Sequence, residues 1–388
     1  MKPNLFARTD RSAIASWWWT VDRGLLACII VLAVFGVALV TTASPPVAIR
    51  IGADHAHFII RHIMVVIPAL VMMLCISVMS HKTIRRLGTV VLGLMMFLMV
   101  VVLLGGNEIK GAQRWISLPG FSLQPSELVK PAFAIVAGWL IAHQKSDPRF
   151  RGYIYSAVLY FVIVVLLILQ PDFGMTVVLT CMFAAQIFLA GFPFRYLTIF
   201  AGIGVGGIFA AYFGLHHVRS RIDRFMNPES GDTYQVDKSL EAFANGGFFG
   251  QGPGQGVVKN TIPDAHADFI FSVAGEELGL LFTLVIVALY AYILLRGFNR
   301  LMESNDMFVV LAVGGILSMF GLQALVHMGS ALHLLPTKGM TLPFISYGGS
   351  STLAMGLSMG VVLGLTRRQA RSSIAKGGFS HSIRKGTV

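Results

Sequence analysis

The sequence predicts an all-α, polytopic membrane protein with ten transmembrane helices, and three observations carry this prediction. Of the 388 residues, 55% are hydrophobic and only 12% are charged. The mean hydropathy is +0.73. A soluble fold of this length would have too few polar side chains to cover its surface. The apolar residues are also gathered into separate runs that are long enough to cross a bilayer.

The apolar runs are the candidate membrane spans, and polar connections separate them. They lie at 24–42, 58–79, 88–104, 129–143, 154–170, 175–191, 197–214, 269–295, 307–327 and 350–366. Because the number of spans is even, both chain ends are predicted on the same side of the membrane. No short apolar core followed by a small-residue cleavage site precedes the first span, so no cleavable signal is predicted.

Basic residues assign the two faces of the membrane. With the amino terminus inside, most of the 30 Lys and Arg residues lie in cytoplasmic segments, as the positive-inside rule requires. The predicted organisation is a basic cytoplasmic tail at 1–23, one ten-helix membrane domain at 24–366 and a second basic cytoplasmic tail at 367–388. The net charge of +12 belongs to these cytoplasmic segments and does not predict binding to nucleic acid.

The largest extramembrane element is the extracytoplasmic loop at 215–268, between the seventh and eighth spans. Loops of this length are usually functional or disordered. This loop carries aromatic residues and a glycine-rich run from Gly246 to Gly256, so we expect a compact structure that lies on or dips into the membrane surface. The run lacks a preceding strand and a Gly-Lys-Ser/Thr ending, so its glycines are expected to permit turns rather than to bind a nucleotide.

Asp268 ends this loop directly before the eighth span. A carboxylate at the membrane surface, on the first turn of a helix, is partly desolvated and suited to act as a general base. Asp directly before an apolar helix is also a good N-cap. Position alone therefore leaves both roles open for Asp268.

Glu276 and Glu277 follow eight and nine residues later, inside the predicted span. With a rise of about 1.5 Å and a turn of about 100° per residue, only Glu276 looks toward the cavity that Asp268 faces. Acidic groups at that depth are functional by default. A protonated or paired structural carboxylate is the alternative.

Two further outer segments carry chemically useful side chains. Glu127 and Lys130 are spaced to pair on one face of a helix at the outer membrane edge, where such a pair is also able merely to hold the helix end in place. The last outer loop, 335–351, is rich in Pro, Gly and hydroxyl residues. Its free N–H groups and Lys338 are suited to hold a phosphate, and a plain re-entrant turn is the alternative.

Together, and in order, these segments resemble one family, the SEDS proteins (shape, elongation, division and sporulation), also called the FtsW/RodA/SpoVE family. The resemblance covers nearly the whole membrane region, and Pro336-Thr337-Lys338-Gly339 resembles the cell-division branch. Ala267 stands where the family often has Thr, which leaves the neighbouring aspartate in place. The segments that carry the resemblance are Arg114-Trp115, Gln124-Pro125-Ser126-Glu127 with Lys130, Gln170-Pro171-Asp172-Phe173-Gly174, Tyr234-Gln235, Gly252-Pro253-Gly254, His266-Ala267-Asp268-Phe269, Glu276-Glu277-Leu278-Gly279 and Pro343-Phe344-Ile345-Ser346-Tyr347-Gly348-Gly349-Ser350-Ser351.

The resemblance implies a peptidoglycan glycosyltransferase that polymerises lipid II at the outer face of the cytoplasmic (inner) membrane during septal wall synthesis. It places the family's essential outer-loop aspartate on Asp268, as general base, and the family's membrane-edge acid and base on Glu127 and Lys130. It also implies lipid II and undecaprenyl diphosphate as ligands, and a cognate class B penicillin-binding protein and other division-complex membrane proteins as partners. The candidate substrate-binding residues are Glu127, Lys130, Arg114, Lys338, Ser346, Glu276 and His266.

The leaving diphosphate needs positive charge or backbone donors, for which Arg114, Lys130 and Lys338 are the candidates and a divalent cation, Mg²⁺ or Mn²⁺, is a further one. Two other functions stay open. A flippase for lipid II would use buried groups such as Glu276, Glu277 and His327, although paired broken helices, the usual sign of such carriers, are not evident. A non-enzymatic division scaffold would have no need of a carboxylate at Asp268.

Overall fold

The computed structural model describes residues 12–367 except for 106, 110–111, 119–120, 194, 196–197, 199–201, 203, 205, 208, 210–211, 215, 227–233 and 337–338. Three predictions therefore fall wholly or partly outside the described residues. They concern the two basic tails, the seventh span at 197–214 and Lys338.

Apolar helices dominate the described part of the chain, as the composition predicted. In chain order the described helices, apolar and polar, are α1 (Ala13–Thr20), α2 (Arg23–Ala43), α3 (Pro45–Arg50), α4 (His57–Val78), α5 (His81–Gly105), α6 (Pro125–Ser146), α7 (Gly152–Leu169), α8 (Phe173–Leu189), α9 (His216–Met226), α10 (Tyr234–Gly246), α11 (Ile270–Met302), α12 (Met307–Ala331) and α13 (Gly349–Leu365). A short 3₁₀ helix spans Val258–Asn260.

Seven of these helices, α2, α4, α5, α6, α7, α11 and α12, are long and apolar enough to cross a membrane, and α8 and α13 are shorter apolar helices. Each of the nine coincides with a predicted span. The prediction of a helical, multi-pass membrane protein is confirmed, whereas the count of ten and the sidedness stay predictions. Almost every residue of α13 and most residues of α6 and α12 are buried inside the bundle, so these helices form its core.

A small antiparallel sheet precedes α6, in a stretch that the sequence analysis treated only as a loop. Its strands are β1 (Asn107–Ile109), β2 (Ala112–Leu118) and β3 (Phe121–Leu123), in the order β1-β2-β3. The register places Ile116 opposite Leu123. The sequence of β2, Ala-Gln-Arg-Trp-Ile-Ser-Leu, has no strict apolar and polar alternation and is too short to form a span, so a search for long apolar runs does not detect it. The sheet carries Arg114 and Trp115 and leads directly into the start of α6.

Helix α11 is interrupted within its 33 residues. Gly279 has φ of 75° and ψ of −178°, and the loop after α10 completes the broken hydrogen-bond ladder. The N–H groups of Gln251 and Gly252 donate to the carbonyls of Glu276 and Glu277, each over 2.9 Å. Because glycine adopts a positive φ without strain, this residue type permits the break.

The interruption moves the lipid-facing part of α11 toward the carboxyl end. The section before Gly279 is almost wholly buried in protein, whereas Leu280 and Leu281 are 46% and 51% exposed. From Leu280 to Met302 the helix is about 35 Å long, close to the hydrocarbon thickness of a bilayer. Glu276 therefore precedes the section of α11 whose side chains are exposed, and the bounds of the eighth membrane span stay a prediction.

Helices α4 and α13 pack closely along three glycines of α13 spaced four residues apart. We call Gly356, Gly360 and Gly364 the glycine seam. A Cβ atom on Gly356 would lie 2.5 Å from the carbonyl oxygen of the facing residue of α4, so the helices approach as closely as their backbones allow. In order along the seam, the facing residues of α4 are Ala69, Met73 and Ile76.

The described part of the 215–268 loop is ordered and packs against the bundle. Ser239 of α10 is buried, its Oγ lies 2.5 Å from Oγ of Ser272, and it donates to the carbonyl oxygen of Ala331 over 2.6 Å. Helix α10 is thereby tied to both α11 and α12. The loop holds the segment before α11 against the bundle, which positions Asp268.

Candidate functional site

A cavity of about 860 Å³ lies between α4, α13 and the loops that precede α6, α11 and α13. Its lining includes three of the predicted site residues, Asp268, His266 and Glu127. These residues are far apart in sequence and come together at one end of the bundle. A volume of this size is typical of a ligand-binding site.

Asp268 stands at the wall of this cavity and is partly exposed. Its N–H donates to the carbonyl oxygen of Asp264 over 3.0 Å in a turn where Asp264 has φ of 51°. Helix α11 begins at Ile270 with Phe269 as its N-cap, so the capping position is not occupied by Asp268. Gly339 lies beside the carboxylate, because a Cβ atom there would be 3.5 Å from Oδ2 of Asp268.

Ser346 and Tyr347 fix the segment that carries Asp268. Oγ of Ser346 donates to the carbonyl oxygen of Ala267 over 2.7 Å and accepts from the N–H of Leu342 over 2.8 Å. The N–H of Tyr347 donates to the carbonyl oxygen of His266 over 2.9 Å. Ser346 is buried and does not line the cavity. It therefore positions the aspartate segment, in place of the predicted direct contact with a substrate.

Glu127 and Lys130 form the predicted ion pair on the first turns of α6. Nζ of Lys130 lies 2.8 Å from Oε2 of Glu127, and both side chains are buried. Nζ also lies 3.1 Å from Sδ of Met175. Glu127 lines the cavity, whereas Lys130 does not. The ammonium of Lys130 thus contacts Glu127 and not the cavity, so this geometry gives no support to the predicted direct contact between Lys130 and a diphosphate.

Arg114 is held by the turn before α8. Nε donates to the carbonyl oxygen of Gln170 over 2.8 Å, and the guanidinium also donates to the carbonyl of Pro171. Nη1 lies 3.8 Å from Oδ2 of Asp172. Arg114 lines a smaller cavity of about 110 Å³ that shares Trp115 with the main one. The sheet thus places Arg114 next to the main cavity rather than on its wall.

His266 packs in an aromatic cluster with Phe58 and Tyr347, of which His266 and Tyr347 line the cavity. Its ring centroid lies 4.3 Å from that of Phe58 and 5.1 Å from that of Tyr347. Burial lowers the pKa of His266 to about 4, although the nearby carboxylate of Asp264 opposes the shift. The imidazole is therefore neutral near pH 7, and its buried Nδ1 has no partner among the described residues.

Glu276 has a structural environment and does not line the cavity. Its Oε1 accepts from Nδ2 of Asn245 over 2.8 Å and from the N–H groups of Val257 and Val258 over 2.8 and 2.7 Å. Its Oε2 accepts from the N–H of Lys259 over 2.8 Å. With four donors the carboxylate caps the 3₁₀ helix, so the geometry supports the paired structural alternative over substrate binding.

Arg61, His62 and Tyr347 line the cavity although the sequence analysis did not select them. Arg61 could have been selected from the sequence, because it lies one turn inside a predicted apolar span. A charged residue in such a position is functional by default. Nothing comparable marks Tyr347, which only the folded loop brings to the wall. Within the described ranges, no group of three or more His, Cys, Asp or Glu side chains is arranged to hold a metal ion.

The sequence matches the model of the FtsW/RodA/SpoVE family, described as cell cycle proteins, over residues 22–371. Among curated proteins, it is 42% identical over 376 residues to one from Caulobacter vibrioides named "Probable peptidoglycan glycosyltransferase FtsW". The alignment covers 96% of each chain.

Solved structures give the same relationship. A chain reported under "Structural coordination of polymerization and crosslinking by a peptidoglycan synthase complex" matches with a TM-score of 0.74 and 26% identity, over 90% of this chain and 98% of that one. The rod shape determining protein RodA of Thermus thermophilus matches with a TM-score of 0.66 and 26% identity, over 90% of this chain and 97% of that one. The similarity therefore extends over the whole membrane fold.

Proposed function

Because the chain belongs to the FtsW/RodA/SpoVE family of cell cycle proteins, we propose that it is a peptidoglycan glycosyltransferase that polymerises lipid II. The observation that carries the proposal is the position of Asp268, a partly exposed carboxylate at the wall of a cavity of about 860 Å³. The names of its curated relatives support the same activity.

Asp268 is the general base of the proposed reaction. The 4-hydroxyl of one lipid II gives its proton to the carboxylate as the oxygen attacks the anomeric carbon at the reducing end of the growing strand. A glycosidic C–O bond forms there, and the C–O bond to undecaprenyl diphosphate breaks. The diphosphate leaves with the bonding electron pair, so the proton on Asp268 and the charge on the leaving group balance.

Arg61 is the described cation best placed to stabilise that leaving group, because it lines the cavity and Lys130 does not. The hydroxyl of Ser351 and the N–H groups around Gly349 border the same space and are additional donors. Lys338 lies outside the described residues, and its role in binding the diphosphate stays a proposal from the sequence. Arg114 is proposed to orient Asp172 and the adjacent turn rather than to bind the diphosphate.

The polymerase is proposed to work with a class B penicillin-binding protein and other division-complex membrane proteins in the inner membrane at the septum. The similarity to a chain of a peptidoglycan synthase complex supports a partner of this kind. The proposed orientation has both termini in the cytoplasm, with one membrane domain at 24–366 between the basic tails and the 215–268 loop outside.

A flippase and a scaffold are less well supported. Glu276 accepts four hydrogen bonds, Glu277 pairs with Lys259, and Nδ1 of His327 lies 2.7 Å from the carbonyl oxygen of Met340, so all three candidate transport groups have partners in the fold. A scaffold gives no reason for a carboxylate at the cavity wall.

The test is polymerisation of labelled lipid II by the purified protein together with its cognate transpeptidase. Asp268→Asn is expected to lower the rate about a hundredfold or more, the usual contribution of a general base. Asp237→Asn removes an exposed outer-loop carboxylate and is the matched control, expected to retain the wild-type rate. Equal rates for wild type and Asp268→Asn, with both proteins folded by thermal unfolding, would contradict the proposal.

A further inference from the structure

The smaller cavity, between β2, the start of α8 and the loop before α13, adjoins the cavity that holds Asp268. Its volume of about 110 Å³ lies below the roughly 300 Å³ at which pockets for whole ligands begin. Trp115, Gln124 and Gly339 line both cavities, and Gly339 lies beside the carboxylate of Asp268. The smaller cavity is therefore a side pocket with room for one substituent of a substrate that reacts in the main cavity.

The side chain of Gln124 brings an unused hydrogen-bond acceptor to the side pocket. Its Nε2 donates to Oγ of Ser126 over 3.1 Å and to Oδ2 of Asp172 over 3.3 Å. Because an ionised carboxylate only accepts hydrogen bonds, Nε2 and not Oε1 must face Asp172. Gln124 is only 7% exposed, yet Oε1 accepts no hydrogen bond from the described residues and is not sealed inside the protein. A ligand with an N–H or O–H group would satisfy this acceptor.

Arg114 brings the complementary donor. Its Nε and Nη2 donate to the carbonyl oxygens of Gln170 and Pro171. Nη1 lies 3.8 Å from Oδ2 of Asp172, which is too far for a hydrogen bond, so the described residues leave its N–H groups unused. The charges of Arg114 and Asp172 offset each other, and a diphosphate has no N–H to give to Gln124. The side pocket therefore fits a neutral polar group better than an anion.

The rest of the side pocket is largely apolar. Met175 and Met340 line it and are each only 5% exposed, and Phe173 lines it beside them. Methionine side chains form flexible apolar surfaces that favour contact with a small apolar group. One acceptor, one donor and an apolar wall are together the complement of an acetamido group, which has an N–H, a carbonyl and a methyl.

We propose that the side pocket, formed by Gln124, Arg114, Met175 and Met340, binds the acetamido group of the sugar whose anomeric carbon reacts beside Asp268. Oε1 of Gln124 accepts from the amide N–H, Nη1 of Arg114 donates to the amide carbonyl, and the methyl lies against the methionines. The proposal rests on the proposed function, because lipid II carries an acetamido group on the carbon next to its reacting anomeric carbon. The side pocket then orients that sugar and selects its N-acetylated form.

The first experiment varies the length of the acyl group. Lipid II is compared with an analogue that carries an N-propionyl group at the same carbon. One extra methylene in a closed pocket typically costs about tenfold or more, so the wild type is expected to show a kcat/KM at least about tenfold higher for N-acetyl. Met340→Ala enlarges the side pocket and is expected to reduce this ratio to within about threefold.

Met319→Ala is the matched control for Met340→Ala. Met319 is also buried and lines neither cavity, so its removal is expected to leave the wild-type ratio unchanged. Each ratio compares two substrates on one protein, so a loss of folded protein cancels. Equal use of both substrates by the wild type, or a wild-type ratio in Met340→Ala, would overturn the proposal. An equal relaxation in Met319→Ala would show general loosening of the fold and would also overturn it.

The second experiment tests the hydrogen bond to Gln124. In a second analogue, oxygen replaces the amide nitrogen, which keeps the carbonyl and the methyl but removes the N–H. The wild type is expected to lose about tenfold or more in kcat/KM, because Oε1 of Gln124 stays without a donor. Gln124→Met removes the acceptor and is expected to use both substrates within about threefold of each other. Its lost bond to Asp172 affects both substrates alike. Equal use of both substrates by the wild type would contradict the role of Gln124.

Binding of the same substrates separates the side pocket from the proposed function. It is measured on the full-length protein in nanodiscs by displacement of labelled lipid II. A preference for the N-acetyl form in binding, without any glycan product from the wild type, would keep the side pocket and refute the polymerase. Normal polymerisation of lipid II without a preference among the three substrates would keep the polymerase and refute the side pocket.

Discussion

At the scale of single residues, the end of the bundle that holds the cavity contains two buried ion pairs. Lys130 pairs with Glu127 beside the cavity, and Lys259 pairs with Glu277 behind it. Each charge has been removed from water, so each needs its partner. The first pair places a carboxylate at the cavity wall, and the second secures the loop that precedes Asp268.

Removing one charge of the Glu127–Lys130 pair is expected to lower the free energy of unfolding more than removing both charges. Glu127→Gln leaves the ammonium of Lys130 buried without its counter-ion, which is expected to lower the free energy of unfolding by about 3 to 5 kcal/mol. The double variant Glu127→Gln with Lys130→Met removes both charges and is expected to recover most of this loss. Thermal unfolding in detergent measures both.

Polymerisation measured on the same proteins distinguishes structure from chemistry. If Glu127 acts on the substrate, the double variant regains stability and not activity. A double variant that is no more stable than Glu127→Gln would contradict the account of the pair.

Sequence reasoning selected three residues that line the cavity, Asp268, His266 and Glu127, and their roles stay predictions. Each lies shortly before a helix or in its first turn, so its position follows from the end of an apolar run. The sequence predicts substrate contacts for Ser346 and Glu276, whereas in the structure both side chains bond to loops of the protein. The direction of these side chains depends on how the loops fold, which no sequence periodicity describes. Arg61 was missed because the span that contains it was treated only as a hydrophobic segment.

At the scale of elements, the break in α11 decides which residues face protein and which face lipid. The hydropathy of the segment is continuous across Gly279, so a search for apolar runs cannot detect the break. The break is visible in the backbone hydrogen bonds. The N–H of Leu280 donates to the carbonyl oxygen of Gly247 and not to a carbonyl of its own helix. The loop after α10 and the helix therefore form one unit.

Gly279→Ala is expected to destabilise the protein although alanine favours helix over glycine. The φ of 75° disfavours any side chain, and a Cβ atom would collide with the backbone at Gly250, so a loss of about 2 kcal/mol or more is expected. Gly93→Ala in α5 meets no atom within 4 Å and is expected to be neutral or to stabilise by up to about 1 kcal/mol. Thermal unfolding of both variants in one detergent measures the difference.

A stable Gly279→Ala protein would mean that α11 is able to continue straight through the membrane. Its 33 residues would then extend about 50 Å, and Glu276 would return to the interior of the bilayer.

At the scale of the whole molecule, the two ends of the bundle differ in chemistry. The cavity and Asp268 lie near the amino end of α11. Near its other end, Oδ2 of Asp22 accepts from Nε of Arg300 over 2.6 Å and from Nε of Arg296 over 3.0 Å. Burial alone would raise the pKa of Asp22, but the hydrogen bond from Arg300, together with backbone and charge contacts, lowers it below the usual 3.8. This anionic carboxylate ties α2 to the basic end of the bundle.

The membrane orientation follows from this asymmetry and gives the last prediction. Arginines such as Arg296 and Arg300 belong to the cytoplasmic face by the positive-inside rule, so the cavity is expected outside. In a variant with Cys28, Cys75 and Cys181 replaced by Ala, a cysteine at exposed Gln255 is expected to react with a membrane-impermeant maleimide in intact cells. A cysteine at exposed Asn305 is expected to react only after the membrane is permeabilised.

The two positions serve as controls for each other, since both are exposed in loops and differ only in the end of the bundle at which they lie. The reverse pattern would place the cavity on the cytoplasmic side, whereas glycan strands are assembled on the outer surface. It would therefore contradict both the proposed orientation and the proposed polymerase activity. Labelling of both positions in intact cells would indicate a leaky membrane, which an unlabelled cytoplasmic protein in the same cells excludes. The expected pattern places Asp268 on the side where the cell wall is built.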